Sequence, residues 1–332
     1  MSQTDHVWAL ILAAGEGSRL RDLTSDAGGA AVPKQYCTLQ GGPTLLQTTV
    51  RRAQGFASLL NTAVVVAGHH RSWWQRDLQA LPPDNIVVQP RNCGTGNGIL
   101  LQLLHVHRHD PDALVVLLPA DQFVADEAVL ARAIRVAVAE VRRAPESLLL
   151  LGIQPGAADP HLGYIVPAAA SEGAALAVSE FIEKPPAPLA RQLIARGALW
   201  NAFIVVASAA TLLRLYQQHM PGVVGAMQRA LADRVDPSRA LAALYECLPT
   251  VDFSRDLLAD SAALPLRVLP VPQCGWSDLG TPECVARVLA RLPGKSPQGV
   301  RADEADAPVN LSANFQGVVR AHWSRPRADL RA

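Results

Sequence analysis

The sequence predicts an α/β fold built on a largely parallel sheet, and two observations carry that prediction. The first half alternates short continuous apolar runs with stretches whose apolar residues recur at helical spacing. That alternation implies βαβ units and a sheet buried on both faces. Hydrophobic residues make up 49% of the 332 positions and aromatics 5%, so Leu, Val and Ala must fill a large core. Domains of ~150 residues are usual, but α/β units run to ~250, so length alone allows one or two.

Taken in order, Val7–Ala13 is a continuous apolar run ending at Gly15 and reads as a buried strand. Leu45, Leu46, Thr49, Val50 and Ala53 mark a helix; 63–67 and 86–88 read as strands, 98–106 as helix and 114–118 as strand. Val129, Ala133, Val136 and Val141 suit one helix, followed by a strand at 148–151. The second half is less regular. Segments 163–166 and 177–182 look like strands of an inserted lobe, 186–196 like helix and 203–207 like strand. Three helices follow at 212–218, 223–231 and 240–247, then a strand at 267–271 and a helix at 282–292. From Pro293 onward Gly, Pro, Ser, Asp and Arg dominate, predicting a tail with one short strand at 317–321.

A net charge of +1 gives no electrostatic footprint for nucleic acid or an anionic membrane, so any phosphate site must be built locally. The five cysteines are odd in number and form no C-x-x-C pair, which fits a reducing cytoplasm better than a disulfide framework or zinc site. Residues 1–6 lack the basic and apolar regions of a signal peptide. No apolar run reaches the ~18 residues that span a bilayer.

In open α/β sheets ligands bind beyond the carboxyl ends of the strands, which points to the segments after Ala13 and after Leu118. The first is Ala13-Ala14-Gly15-Glu16-Gly17-Ser18-Arg19-Leu20. Two glycines allow positive φ and close approach of a ligand, exposed N–H groups cradle phosphate oxygens, and Arg19 adds a planar charged fork. A dinucleotide fingerprint needs a third glycine where Leu20 stands, and no Walker A loop occurs. A plain βα turn is the competing reading. Pro33-Lys34-Gln35 shifts the balance by offering a second cation, although an isolated lysine is more often a solvated surface group.

Residues 13–20 followed by Pro33-Lys34-Gln35-Tyr36 resemble the signature of nucleotidyltransferases with a sugar-nucleotide pyrophosphorylase fold. Among these the segment is most similar to mannose-1-phosphate guanylyltransferases. The resemblance implies that Ala13, Gly15, Gly17 and Arg19 hold a nucleoside triphosphate, with Arg19 and Lys34 acting catalytically on its phosphates. Ala14 replaces a frequent glycine, which is tolerable if its φ is negative.

Gln89-Pro90-Arg91-Asn92-Cys93-Gly94-Thr95-Gly96-Asn97-Gly98 lies between a strand and a helix. Gln89 can offer an amide to a base edge, glycines leave room for a ring, and Thr95 can cap the helix. By resemblance Gln89, Gly94 and Thr95 line the nucleotide pocket, although the family's R-N-T-A-P run is altered here. Asp121 ends an apolar strand, where it is either a helix cap or a ligand for a hard cation such as Mg²⁺. The family's P-x-D-H motif makes it a metal aspartate; Gln122 replaces the histidine and is assigned no catalytic role. Trp276-Ser277-Asp278-Leu279-Gly280 resembles W-x-D-x-G, so Asp278 is implied as the second metal ligand.

Phe181-Ile182-Glu183-Lys184-Pro185 matches the family's F-x-E-K-P residue for residue. Glu183 would accept bonds from sugar hydroxyls, while Lys184, pointing oppositely in an extended segment, would reach the sugar's phosphate. Gly163-Tyr164-Ile165 matches a strand whose glycine lets the sugar approach backbone, and Asn201 would bind the sugar. Ala202-Phe203 departs from the family's S-G. Trp73-Trp74 is expected to pack on a surface helix, and His105, His107 and His109 to form a solvated helix face.

The resemblance spans roughly residues 7–290 with its motifs in order. It implies an α/β fold of one nucleotidyltransferase domain over 1–292, with a mixed, mostly parallel central sheet flanked by helices and an inserted sugar-binding lobe. The nucleotide half is about 1–150 and the sugar-phosphate half about 151–292, with a 293–332 tail of unknown role. A further isomerase domain, as in longer bifunctional relatives, has no room. The implied reaction transfers a nucleoside monophosphate from an NTP, foremost GTP, to a sugar 1-phosphate, foremost mannose 1-phosphate, with Mg²⁺ as cofactor. Other sugar-1-phosphate uridylyl-, thymidylyl- or cytidylyltransferases, an isoprenoid-type cytidylyltransferase, and a non-catalytic nucleotide-sugar-binding regulator are the alternatives. The expected partners are the NTP and the sugar 1-phosphate, with no nucleic acid and no membrane; a homo-oligomer is left open.

Overall fold

A computed structural model describes residues 6–25, 31–169, 173–259, 265–292 and 310–313. Period-two alternation along its central strands sorts the side chains into two cores. On β1 (Val7–Ala13), Val7, Ala9, Ile11 and Ala13 pack on one face, and Trp8 and Leu10 on the other. β4 (Leu114–Pro119) divides the same way, with Val116 and Leu118 opposite Val115 and Leu117. Both faces of the sheet are therefore dry, as the unbroken apolar runs predict.

Parallel to β1 lie β4 on one side and β2 (Thr62–Ala67) on the other, and β3 (Ile86–Gln89) extends the sheet parallel to β2. The remaining strands are β5 (Leu148–Ile153), β6 (Tyr164–Pro167), β7 (Leu176–Ile182), β8 (Leu199–Ser208) and β9 (Leu266–Val271). All nine form one sheet in the order β3-β2-β1-β4-β8-β5-β9-β7-β6. β8 runs antiparallel to β4 and β5, and β5 parallel to β9. The sheet is thus mixed, with an unbroken parallel block at the β1 side. β6 and β7 form a hairpin-like pair at the far edge and share a small third core with α5 (Ala187–Ala195).

Helices cover both faces. α1 (Leu45–Ala53), α4 (Glu127–Arg143) and α9 (Pro282–Leu289) pack on the Ile11 side. α3 (Gly94–His109), α6 (Ala209–His219), α7 (Pro221–Leu231) and α8 (Pro237–Cys247) pack on the Leu10 side. α1 begins with a capping box, in which the Thr44 side chain accepts from the Gln47 N–H and the Gln47 side chain accepts from the Thr44 N–H. α2 (Arg71–Asp77) carries Trp73 and Trp74. Trp73 stacks on Tyr36 at 5.8 Å, and Trp74 donates to the Ala67 carbonyl, so the pair packs inward as well as lying on a surface helix.

Three elements differ from expectation. α3 starts at Gly94 rather than 98, because its glycines are packed rather than loose. Gly94 has φ +86°, and a Cβ there would strike the Val251 carbonyl; at Gly96 a Cβ would lie 2.6 Å from the Val251 side chain. β8 starts at Leu199 rather than 203 and carries an irregularity opposite Leu150 and Gly152. The tail is partly anchored: Leu311 is fully buried, its N–H donates to the Thr38 carbonyl at 2.7 Å, and Asn310 bridges Thr38. The strand expected at 317–321 lies outside the described residues.

The Gly94 contact supplies a stability test. Gly94→Ala combines a left-handed φ with a backbone collision and is expected to cost about 3 kcal/mol or more. Urea denaturation measures it, and a loss below about 1 kcal/mol would contradict the packing described.

Candidate active site

The glycine loop leaves the end of β1 and is held from behind by Gln35. Its Nε2 donates to the carbonyls of Ala13 and Gly15, both at 2.9 Å. Ala13 itself is buried and lines neither of the two cavities described below; its carbonyl serves the loop's own scaffold. Gly17 has φ +63°, and a Cβ there would sit 2.8 Å from the Lys34 backbone nitrogen. Gly15 has an ordinary φ and open space before it. Ala14 likewise avoids positive φ, which explains why alanine is tolerated.

Lys34 is 6% exposed and acts as a knot. Its ammonium lies 2.9 Å from Asp121 Oδ2 and donates to the carbonyls of Asp278 at 2.7 Å and Leu279 at 3.3 Å. These partners account for all three ammonium donors, whereas the sequence suggested a cation free for phosphate. Arg19, by contrast, has no hydrogen-bond or ion-pair partner among the described residues, and it lines the cavities below.

Asp121 follows β4 but caps no helix; α4 is capped by Asp126. A two-way backbone bridge between Phe123 and Ser277, 2.9 Å in each direction, clamps the Asp121 loop to the Asp278 loop. Gln122 reinforces it: its Oε1 accepts from Trp276 Nε1 at 2.9 Å and its Nε2 donates to the Ala202 carbonyl at 2.8 Å. Gly280 is needed because the Asp278 carboxylate folds against it and accepts its N–H. Burial raises the Asp278 pKa; the Gly280 N–H and Lys34 oppose that rise, and the carboxylates of Asp159 and Asp121 add to it. Two mutually repelling carboxylates facing one space form an all-oxygen donor set, which fits a hard divalent cation such as Mg²⁺.

Gln89 is 2% exposed at the end of β3, and its Oε1 is buried with no hydrogen-bond partner. A Cβ at Gly98 would lie 2.8 Å from that oxygen. The glycines at 94, 96 and 98 thus make room for Val251 and Gln89, and Gly94 and Gly98 also line the cavity described below. Thr95 does not cap α3; its hydroxyl accepts the Phe253 N–H at 2.9 Å across the cavity rim.

At the sugar side, a Cβ on Gly163 would lie 2.6 Å from Glu183 Oε2, and the Asn201 N–H donates to the Gly163 carbonyl at 2.8 Å. Asn201 Oδ1 accepts the Phe203 N–H. Lys184 corrects an expectation: its φ is +50°, not extended, and its ammonium turns back to Glu183 at 3.0 Å. Burial raises the Glu183 pKa, and the bond to Lys184 partly lowers it.

These groups meet in a cavity of about 560 Å³ lined by Gly15, Arg19, Gln89, Gly94, Thr95, Asp121, Gly163, Glu183, Lys184, Asn201 and Asp278. A second cavity of about 260 Å³ adjoins it at Arg19, Asp121, Gln122 and Asp278, and adds Gly17 and Lys34. The non-glycine residues with positive φ among those described are Lys184, Phe203 and Leu279, and all three line these cavities. Strain of that kind concentrates where side chains must be aimed. Sequence reading missed Asp252, Arg255 and Phe203 as lining groups. Asp252 precedes a π-helical turn (Ser254–Leu258) and Arg255 lies within it, with no motif to flag either. For Phe203 the available signal was the departure of Ala202-Phe203 from the S-G of the motif it resembles; its φ is +55°.

Residues 8–293 match the family model described as Nucleotidyl transferase. Mannose-1-phosphate guanylyltransferase of Escherichia coli is 29% identical over 83% of this chain and 58% of its own length. Xanthan biosynthesis protein XanB of Xanthomonas campestris pv. campestris is 30% identical with the same coverage. This chain therefore spans little more than half the length of these relatives. In fold it is similar to the crystal structure of mannose-1-phosphate geranyltransferase from Thermus thermophilus, with a TM-score of 0.75 at 24% identity, covering 87% of this chain and 81% of that one.

Proposed function

Because this chain belongs to the nucleotidyl transferase family, we propose that it transfers a nucleoside monophosphate from a nucleoside triphosphate to a sugar 1-phosphate and releases pyrophosphate. GTP and mannose 1-phosphate are the leading substrate pair, supported by the names of relatives at 29% identity. The observation that carries the reading is the meeting of Asp121 and Asp278 with Arg19 where the two cavities join. The same proposal takes residues 1–292 as one transferase unit.

In this reading a sugar-phosphate oxygen attacks the α-phosphorus in line, and the bond to the β-phosphate oxygen breaks. A phosphate monoester is already an anionic nucleophile, so positioning and charge neutralisation supply the catalysis. Arg19 takes the triphosphate oxygens on the side of the smaller cavity. Lys34 fixes the spacing of the acid pair and offsets its charge. Asp121 and Asp278 would hold Mg²⁺, which when bound supplies further neutralisation of phosphate charge. Gln89 addresses the base, while Glu183, Lys184 and Asn201 place the sugar phosphate. A cytoplasmic setting belongs to the same proposal; among the described residues no helix is long and apolar enough to cross a membrane.

A panel of nucleoside triphosphates and sugar 1-phosphates, read by pyrophosphate release with and without Mg²⁺, tests this. Turnover confined to one pair and dependent on the cation is expected; sugar-nucleotide binding without any turnover would overturn it. Glu183 adds a pH test. Its raised pKa means the carboxylate is lost, as pH falls, sooner than an ordinary glutamate's. The KM for sugar phosphate should therefore favour wild type over Glu183→Gln at neutral pH, and that advantage should close as pH drops through the raised pKa. A ratio constant with pH would remove Glu183 from sugar recognition.

A further inference from the structure

Glu16 lies between Gly15 and Gly17 yet lines neither cavity. Its carboxylate instead meets two histidines just beyond β2. Oε1 is 3.0 Å from Nε2 of His69, and Oε2 is 3.5 Å from Nε2 of His70. One ligand atom from each of the three residues lies within 4.8 Å of the other two. His70 is 2% exposed, and its Nδ1 is buried without a hydrogen-bond partner. Tyr36 and Trp73 stand edge-on to its ring, which fixes the ring plane.

We propose that Glu16, His69 and His70 form a binding site for a borderline divalent transition metal of the Zn²⁺ class, separate from the acid pair at Asp121 and Asp278. Two imidazole nitrogens and one carboxylate oxygen suit Zn²⁺, Co²⁺, Ni²⁺ or Cu²⁺ and are a poor match for Mg²⁺. Tetrahedral ligation with bonds of ~2.0–2.1 Å puts ligand atoms about 3.4 Å apart, which the two Glu16–His separations already approach. His69 and Glu16 are 55% and 46% exposed, which leaves the outer coordination position to water. An ion here ties the middle of the glycine loop to the end of β2, and this assignment does not depend on which substrates the enzyme accepts.

The test uses the full chain carrying Cys247→Ser, since Cys247 is the exposed cysteine. Zn²⁺ is titrated calorimetrically in excess Mg²⁺, and Co²⁺ is followed by its visible ligand-field bands. One equivalent is expected, with tetrahedral-type Co²⁺ bands. His69→Ala and Glu16→Gln, both changes of exposed side chains, should weaken binding by more than about tenfold and abolish the bands. Asp121→Asn and His105→Ala should keep both signals. Absence of Zn²⁺ binding, or binding that survives His69→Ala and Glu16→Gln unchanged, would overturn the assignment and leave an ordinary Glu–His hydrogen bond.

Discussion

Asp278→Asn is expected to cut pyrophosphate release about a thousandfold without lowering thermal stability. Both halves follow from one geometry. Asparagine keeps the shape and the oxygen that accepts the Gly280 N–H, but it removes the negative charge that would hold a divalent cation. The Asp278 pKa is raised by burial and by Asp159 and Asp121. A carboxyl raised in the folded state holds its proton longer than in the unfolded chain, so the fold loses stability as pH rises through that interval. At neutral pH the ionised group is a burden that asparagine relieves. Pyrophosphate release under saturating substrates, beside a thermal melt, reads both effects. Near-wild-type turnover would refute the metal assignment. A large fall in melting temperature would refute the account of Asp278 as an electrostatic burden.

Lys34→Met should be damaging in both respects. The methionine fills most of the volume but leaves the Asp278 and Leu279 carbonyls and the Asp121 carboxylate without their shared donor. Breaking a buried pair typically costs ~3–5 kcal/mol, but Asp121 is 42% exposed, so solvent screens it and about 1–2 kcal/mol is expected. Turnover should fall by about a hundredfold or more, since the acid pair then loses both its spacing and its compensating charge. Lys34→Arg should rescue little, because a slot shaped for three acceptors around one nitrogen does not fit a planar fork. Urea denaturation and steady-state kinetics decide, and a variant with unchanged kcat/KM would sink the argument.

What the sequence disclosed depended on the range of the interactions concerned. β1 and β4 were legible because burial on both faces writes an unbroken apolar run, and the chain beyond their ends was where Arg19 and Asp121 stood. Asp278 was legible only through motif order; the Phe123–Ser277 bridge that brings it to Asp121 joins residues far apart in sequence. Gln35 and Gln122 hold the site through backbone carbonyls and, for Gln122, the Trp276 indole, partners that no local pattern reveals. Lys184 was misdirected because side-chain alternation assumes extended backbone, and a φ of +50° breaks it. The packing of Val251 and Gln89 against the glycines of α3 was not legible either, because Val251 lies far from them in sequence.

The anchored stretch at 310–313 bears on how this gene is best trimmed. The match to the family model ends at residue 293, an inviting place for a stop codon. Stopping there would delete Leu311 from its slot and strip the Thr38 and Leu39 carbonyls of the amides that satisfy them. The gap would open a few residues from Lys34, so a protein shortened to the matched stretch would lose part of that lysine's footing rather than a dispensable appendage.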